Sequence, residues 1–176
     1  MNRKQLEFKE KAIPDLKEKF GYKNDFEVPK LDKIVISRGI NSEDAKSNNL
    51  IDELFKDISL IAGQKPIMKK AKKSIATFKL REGMPNGVMV TLRRERMYAF
   101  FDKLVSLASP RIRDFQGFKI KPDGNGNFTV GIKDQRIFLE TENSSNKGLQ
   151  ITIVTTGNSN EEGKALLEVL GFPFSK

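Results

Sequence analysis

The side chains that most often carry acid-base, nucleophilic or metal chemistry near neutral pH are missing, because the sequence has no His and no Cys. Histidine triads, thiolate nucleophiles, zinc sites and disulfide frameworks are therefore excluded. What remains is a set of 23 Asp and Glu, which could hold Mg²⁺ for work on a nucleic acid or move a proton if a pKa were shifted. One stretch has calcium-like spacing, Asp123-Gly124-Asn125-Gly126-Asn127. It fails at the sixth position, where Phe128 stands in place of glycine, and at the twelfth, where Asp134 stands in place of a bidentate Glu. The same glycines open a dinucleotide-binding pattern that ends on Thr129 and has no strand-turn-helix context. Both features reduce to a turn. No metal and no cofactor is expected.

The cations say more. Lys and Arg number 32, giving a net charge of +9 and a pI near 9.7. Residues 65–96 hold ten of these bases (Lys65, Lys69, Lys70, Lys72, Lys73, Lys79, Arg81, Arg93, Arg94 and Arg96) against two acids, Glu82 and Glu95. The other 144 residues hold 22 bases and 21 acids, so nearly all of the surplus sits in less than a fifth of the chain. A solubilising surface would intersperse the two signs. One sign concentrated in this way implies a polyanion, and phosphate is the obvious counter-charge. Pro66, Gly83, Pro85 and Gly87 interrupt any amphipathic membrane helix here, and no stretch approaches 18 apolar residues. Neither a membrane nor a small-molecule substrate is expected, nor is a secretory signal, since the first residues lack an apolar run. Two functions stay open: an RNA-binding protein without catalysis, or a nucleic-acid enzyme using carboxylates and Mg²⁺. The scarcity of acids beside the cations favours the first.

The length of 176 residues fits one domain, 1–176. Leu6, Ile13, Leu16 and Phe20 lie at helical spacing in residues 3–20, with a kink or restart at Pro14. Residues 33–39 read as a strand. Ile51, Leu54, Phe55, Ile58 and Ile61 predict a helix over 48–62, closed by Gly63. Extended stretches follow at 65–70, 74–80 and 87–93, with a long mobile loop at 81–87. Met97, Phe100, Phe101, Leu104, Val105 and Ala108 predict a helix ended by Pro110, and at that spacing Phe100 and Phe101 are core residues rather than base-stacking platforms. Strands resume at 127–132 and 149–155, with a polar, exposed connection at 141–148. Ser159 and Glu162 form a capping box before a short last helix. Runs of strands with helices inserted indicate a two-layer α+β domain.

Several segments carry a resemblance to a known family. Gly63-Gln64-Lys65-Pro66, Lys72-Lys73-Ser74-Ile75-Ala76, Phe78-Lys79-Leu80-Arg81, Val90-Thr91-Leu92-Arg93, Glu95-Arg96-Met97, Pro110-Arg111-Ile112-Arg113-Asp114-Phe115 and Phe172-Pro173-Phe174 are similar, in order and spacing, to ribosomal protein five of the large subunit, bacterial type. The resemblance implies a mostly antiparallel sheet with helices packed on one face. It also implies a protein of the central protuberance that binds 5S rRNA and helps attach it to large-subunit rRNA. Carried over by position, Ser37, Arg38, Gly39, Gln64, Lys65, Lys69, Thr91, Arg93 and Arg94 would lie on the sheet surface against rRNA. The segment 72–85, with Lys72, Lys73, Ser74, Phe78, Lys79, Arg81, Met84 and Pro85, would face the P-site tRNA. Arg111, Arg113 and Asp114 would lie near an intersubunit bridge to small-subunit ribosomal protein thirteen. The expected location is the ribosome, in a bacterial cytoplasm or a plastid stroma.

Four departures from the family pattern are visible. Ser37-Arg38-Gly39 stands where the family has Asn-Met-Gly, trading an amide for a hydroxyl and adding a charge. Phe138-Leu139-Glu140 replaces Phe-Pro-Glu, and the acidic loop after it is shortened to Asn143-Ser144-Ser145-Asn146. Arg94 occupies a common glycine position, and the 123–127 turn lacks an internal arginine.

Overall fold

A computed structural model describes residues 2–41, 47–142, 144 and 147–175. Helices Arg3–Glu7 (α1) and Ile13–Phe20 (α2) are joined by one wide turn over Phe8–Ala12, in which Ile13 N–H reaches back to the Phe8 carbonyl. The cause is Pro14, which offers no N–H and crowds the preceding turn, so the helix widens before it instead of breaking. The Lys4 ammonium is buried and donates to Glu7 Oε2 at 2.6 Å and to the Leu170 carbonyl at 2.9 Å, pinning the N-terminal helix to the C-terminal one.

Strands Leu31–Gly39 (β1), Ile67–Lys70 (β2), Pro85–Leu92 (β3), Lys121–Pro122 (β4), Phe128–Ile132 (β5) and Leu149–Thr155 (β6) form one sheet in the order β2-β3-β1-β6-β5-β4, antiparallel throughout. Alternation along each strand separates two faces. Ile34 and Ile36 of β1, Val88, Val90 and Leu92 of β3, and Ile151 and Ile153 of β6 turn to one side and are buried. Against them pack Asn48–Ala62 (α3), Arg94–Lys103 (α4) and Asn160–Val169 (α5), with α1 and α2 completing the layer. The other face carries no helix among the described residues. The α+β architecture with helices on one side is thus present.

The core fixes several sequence expectations. Ile58, Ile61 and Leu54 of α3 are buried, and Gly63 closes that helix at φ +63° with its N–H on the Ser59 carbonyl. Phe100 and Phe101 are buried as core residues, Phe100 stacking on Phe138 and Phe101 on Phe172 at 5.9 and 6.1 Å between centroids. Helical turns run past α4 to Arg111, so Pro110 sits in the last turn. Ser159 accepts from Glu162 N–H, while the Glu162 carboxylate reaches Asn158 N–H, one residue earlier than a strict capping box requires. The chain end returns to the core: Phe174 bridges Phe118, and a Cβ on Gly117 (φ +98°) would stand 2.4 Å from the Phe174 backbone.

Two expectations are corrected. Residues 74–80 are not a strand: the chain doubles back through a short turn at Ala76–Phe78, so Ile75 pairs with Leu80 of its own segment. The strand after the loop begins at Pro85 rather than 87. The two-residue β4 has no counterpart in the sequence reading.

Candidate nucleic-acid interface

The uncovered sheet face is built by the residues out of phase with the core. Across the strands it presents Thr129 and Gly131 (β5), Gln150 and Thr152 (β6), Val35, Ser37 and Gly39 (β1), then Met89 and Thr91 (β3). The Thr129 and Thr152 hydroxyls stand 3.2 Å apart. The floor is uncharged, rich in hydroxyls and low where glycine replaces a side chain. Lys69, Lys119 and Lys147 line the same concavity, of about 1110 Å³. An uncharged polar floor with a cationic margin suits a folded polyanion held by shape and by its backbone.

Ser37, Gly39 and Thr91 lie on this face, as does Lys69 of β2. Gln64 is a tie rather than a projecting group: its amide N–H donates to the Thr91 carbonyl and its oxygen accepts from Arg96, each at 3.2 Å. Lys65 is exposed beside α3, lining a shallow apolar cleft with Phe55 and Leu60. Arg93, at the end of β3, pairs with Asp32 at 3.3 Å. Arg94 is exposed and holds φ +52°, the left-handed region that glycine enters without steric cost, which is the physical reason a glycine suits this position.

Arg38 requires a correction. It is in phase with Ile34 and Ile36 and opposite Val88, so it leaves the strand on the helix side, not on the open surface with Ser37 and Gly39. Its Nη1 donates to Gln135 Oε1 at 3.2 Å, Gln135 Nε2 donates to Asp57 Oδ2 at 2.7 Å, and Ser144 Oγ donates to Asp57 Oδ1 at 2.7 Å. Gln135 is fully buried and Asp57 nearly so. Sequence reasoning missed both. The signal was there for Asp57, because an acid three residues after Leu54 and four before Ile61 falls on the apolar stripe of α3.

The loop between β2 and β3 is exposed from Lys72 to Lys79 yet internally bonded. Ala71 N–H donates to Met84 O and Gly83 N–H to Ala71 O, at 2.9 and 3.0 Å, closing its base. Ile75 and Leu80 exchange two backbone bonds, and Ser74 Oγ accepts from Glu82 N–H. These bonds tie the loop to itself from its base to its turn. Lys72, Lys73, Lys79 and Arg81 project from it with the apolar side chains Ile75 and Phe78, Phe78 being 68 % exposed. Met84 and Pro85 sit at its half-buried base, and Met84 Sδ receives Arg81 N–H. Of the ten bases in 65–96, Arg93 alone has a carboxylate partner among the described residues. Elsewhere the surface pairs its charges freely, as in Arg3–Asp102, Lys103–Glu140 and Arg136–Asp134.

Arg111 donates to Glu142 at 3.2 Å, whereas Arg113 and Asp114 are exposed in a turn, Asp114 at φ +52°. The connection 141–148 is not wholly exposed: Thr141 is buried and Ser144 reaches Asp57. Asn143, Ser145 and Asn146 lie outside the described residues.

The 123–127 segment is a turn closed by its own carboxylate. Asp123 accepts from the Asn127 side-chain amide at 2.6 Å and from the N–H groups of Asn125 and Asn127 at 2.8 and 3.0 Å. The Asn127 amide chiefly, then these backbone donors, hold its pKa below the ordinary carboxylate value. A depressed folded-state pKa stabilises the turn fully above the ordinary value and ceases to do so as pH falls through the lowered one. Amide-exchange protection at Asn125 and Asn127 should therefore persist through mild acid and fall below the usual carboxylate range. An Asp123→Asn variant should show no such acid step.

Family models match most of the chain: ribosomal protein L5 over residues 24–81, and the C-terminus of the same ribosomal family over residues 85–174. Both matched segments supply strands to the one sheet. Among similar proteins is the large ribosomal subunit protein uL5 of Desulforapulum autotrophicum, 53 % identical over 171 residues and 95 % of each chain. Those of Desulfatibacillum aliphaticivorans and Caldanaerobacter subterraneus subsp. tengcongensis are 49 % and 48 % identical over the whole of each chain.

Proposed function

We propose a division of labour between two surfaces, from the premise that the chain belongs to the ribosomal protein L5 family and is a structural, non-enzymatic constituent of the large ribosomal subunit. RNA binding in translation follows from that membership, and the carboxylate-and-Mg²⁺ enzyme is set aside by it. The relatives are bacterial, which favours a bacterial cytoplasm over a plastid stroma.

In the finer reading, the uncovered sheet face binds 5S rRNA and helps hold it to large-subunit rRNA in the central protuberance. Lys69 and the neighbouring cations meet phosphates, while Ser37 and Thr91 orient the sugar-phosphate backbone. The loop with Lys72, Lys73, Phe78, Lys79 and Arg81 contacts the P-site tRNA. The turn with Arg113 and Asp114, beside the Arg111–Glu142 pair, meets small-subunit ribosomal protein thirteen. The observation that carries this reading is the concentration of carboxylate-free cations beside a hydroxyl-bearing, uncharged sheet face. Specificity then comes from RNA shape rather than from base edges.

The test is a footprint of the purified protein on ribosomal RNA, repeated with a Lys79→Ala/Arg81→Ala variant. The expected result is protection of 5S rRNA and its neighbouring large-subunit helix by both proteins. The variant should lose tRNA-dependent function in reconstituted ribosomes by a larger factor than it loses 5S rRNA affinity, because the loop projects away from the sheet. Equal losses in the two assays would reject the division, and protection scattered over unrelated helices would reject the 5S assignment.

A further inference from the structure

Four glycines line the concavity on the open face: Gly39, Gly87, Gly131 and Gly148. Glycine inside a strand weakens it, and marks a bulge, a bend or a site where another backbone comes close. For two of the four the close neighbour belongs to the protein itself. A Cβ on Gly87 would stand 2.8 Å from the Arg38 carbonyl oxygen, and one on Gly148 would stand 2.9 Å from the Ile132 carbonyl oxygen.

Gly39 and Gly131 have no such reason. Nothing lies within 4 Å of a Cβ built on either, and neither has a positive φ. Both are exposed, Gly39 at the end of β1 and Gly131 one residue inside the end of β5. Gly131 lies opposite Gln150 of β6, which in turn lies opposite Ser37 of β1, so the three form one row across the open face. The protein's own packing and backbone would accept a larger residue at either position, and a β-branched one would make a better strand.

We infer that Gly39 and Gly131 keep the floor low where the sugar-phosphate backbone of an RNA helix comes into van der Waals contact. The contact surface then extends from β1 across Gln150 to β5, well beyond the cationic window of residues 65–96. This rests on the reading of the sheet as an RNA-binding face and names the strand on which that face ends. The wide, shallow minor groove of helical RNA presents its 2′-hydroxyls to a flat partner, and Gln150, with both a donor and an acceptor, stands between Gly131 and Ser37 to meet them. A side chain at either glycine would hold the helix off the Gln150 amide and off the hydroxyls of Ser37 and Thr152.

The experiment pairs the thermal midpoint of free protein with its 5S rRNA affinity for wild type, Gly39→Ala, Gly131→Ala and Gly131→Val. Midpoints should stay level or rise, since these backbone angles suit any residue and the unfolded chain loses freedom. Affinity should fall for all three variants, by about tenfold for Gly131→Val and less for the alanines. Gly87→Ala, in contrast, should lower the midpoint. Wild-type affinity in a normally folded Gly131→Val protein would overturn the inference alone. A lowered midpoint for Gly131→Ala would overturn it as well, by showing that the glycine serves the fold. Absence of 5S rRNA binding by the wild type would overturn the RNA-binding reading itself.

Discussion

Phe101→Ala is expected to lower the stability of the fold by about 3–5 kcal/mol. Phe101 is fully buried, stacks on Phe172, and Phe172 in turn contacts Phe118 and Phe174 at 5.3 and 5.2 Å between centroids. Removing the ring opens a cavity at the junction of α4 and the returning chain end. The surroundings cannot collapse into it freely, because Gly117 already touches the Phe174 backbone. Urea unfolding should show a lower midpoint with an unchanged slope. RNA affinity measured where the variant remains folded should match wild type. The reverse pattern, full stability with lost binding, would make Phe101 a stacking residue and refute its place in the core.

The second large effect is on salt. If five to seven phosphates are neutralised, log K for 5S rRNA should fall against log salt with a slope of roughly −4 to −6, so that raising salt from about 50 to about 200 mM weakens binding by roughly three orders of magnitude. The structural ground is that Lys69, Lys70, Lys72, Lys73, Lys79 and Arg81 form no ion pair with a carboxylate among the described residues. Cations already paired within the protein would exchange one partner for another and add little to the slope. A titration in which affinity hardly changes with salt would remove the electrostatic basis of the interface.

Much of this was legible in the sequence, and the failures have identifiable causes. The stripe Ile51, Leu54, Ile58 and Ile61 specified α3 and its buried face because helical period is a local property. The cationic window was legible because charge density needs no fold. Residues 74–80 looked extended, yet β propensity reports fitness for a pleated, partnered surface, and there Ile75 pairs with Leu80 of the same segment. A two-residue strand such as β4 has no period to detect. The open face as a surface required the pairing of β1 with β6, which joins residues more than a hundred positions apart. Arg38 is the instructive case: the alternation of Ile34 and Ile36 already puts it on the buried side, and only similarity to a family pattern grouped it with Ser37 and Gly39. The Gln135 side chain that receives it, and the Asp57 carboxylate to which Gln135 donates in turn, are distant in sequence, so period alone could turn Arg38 inward but could not name what it meets.

The two edge strands have a consequence for the life of the protein before assembly. β2 is four residues long and carries Lys69 and Lys70, and β4 is two residues long and ends in Pro122. Short, lysine-bearing or proline-blocked margins offer a poor template for a neighbouring chain. Freshly synthesised copies that have not yet met their nucleic acid are thus kept from zippering into one another, and at β2 the lysines that blunt the edge stand among the cations proposed above to meet phosphate.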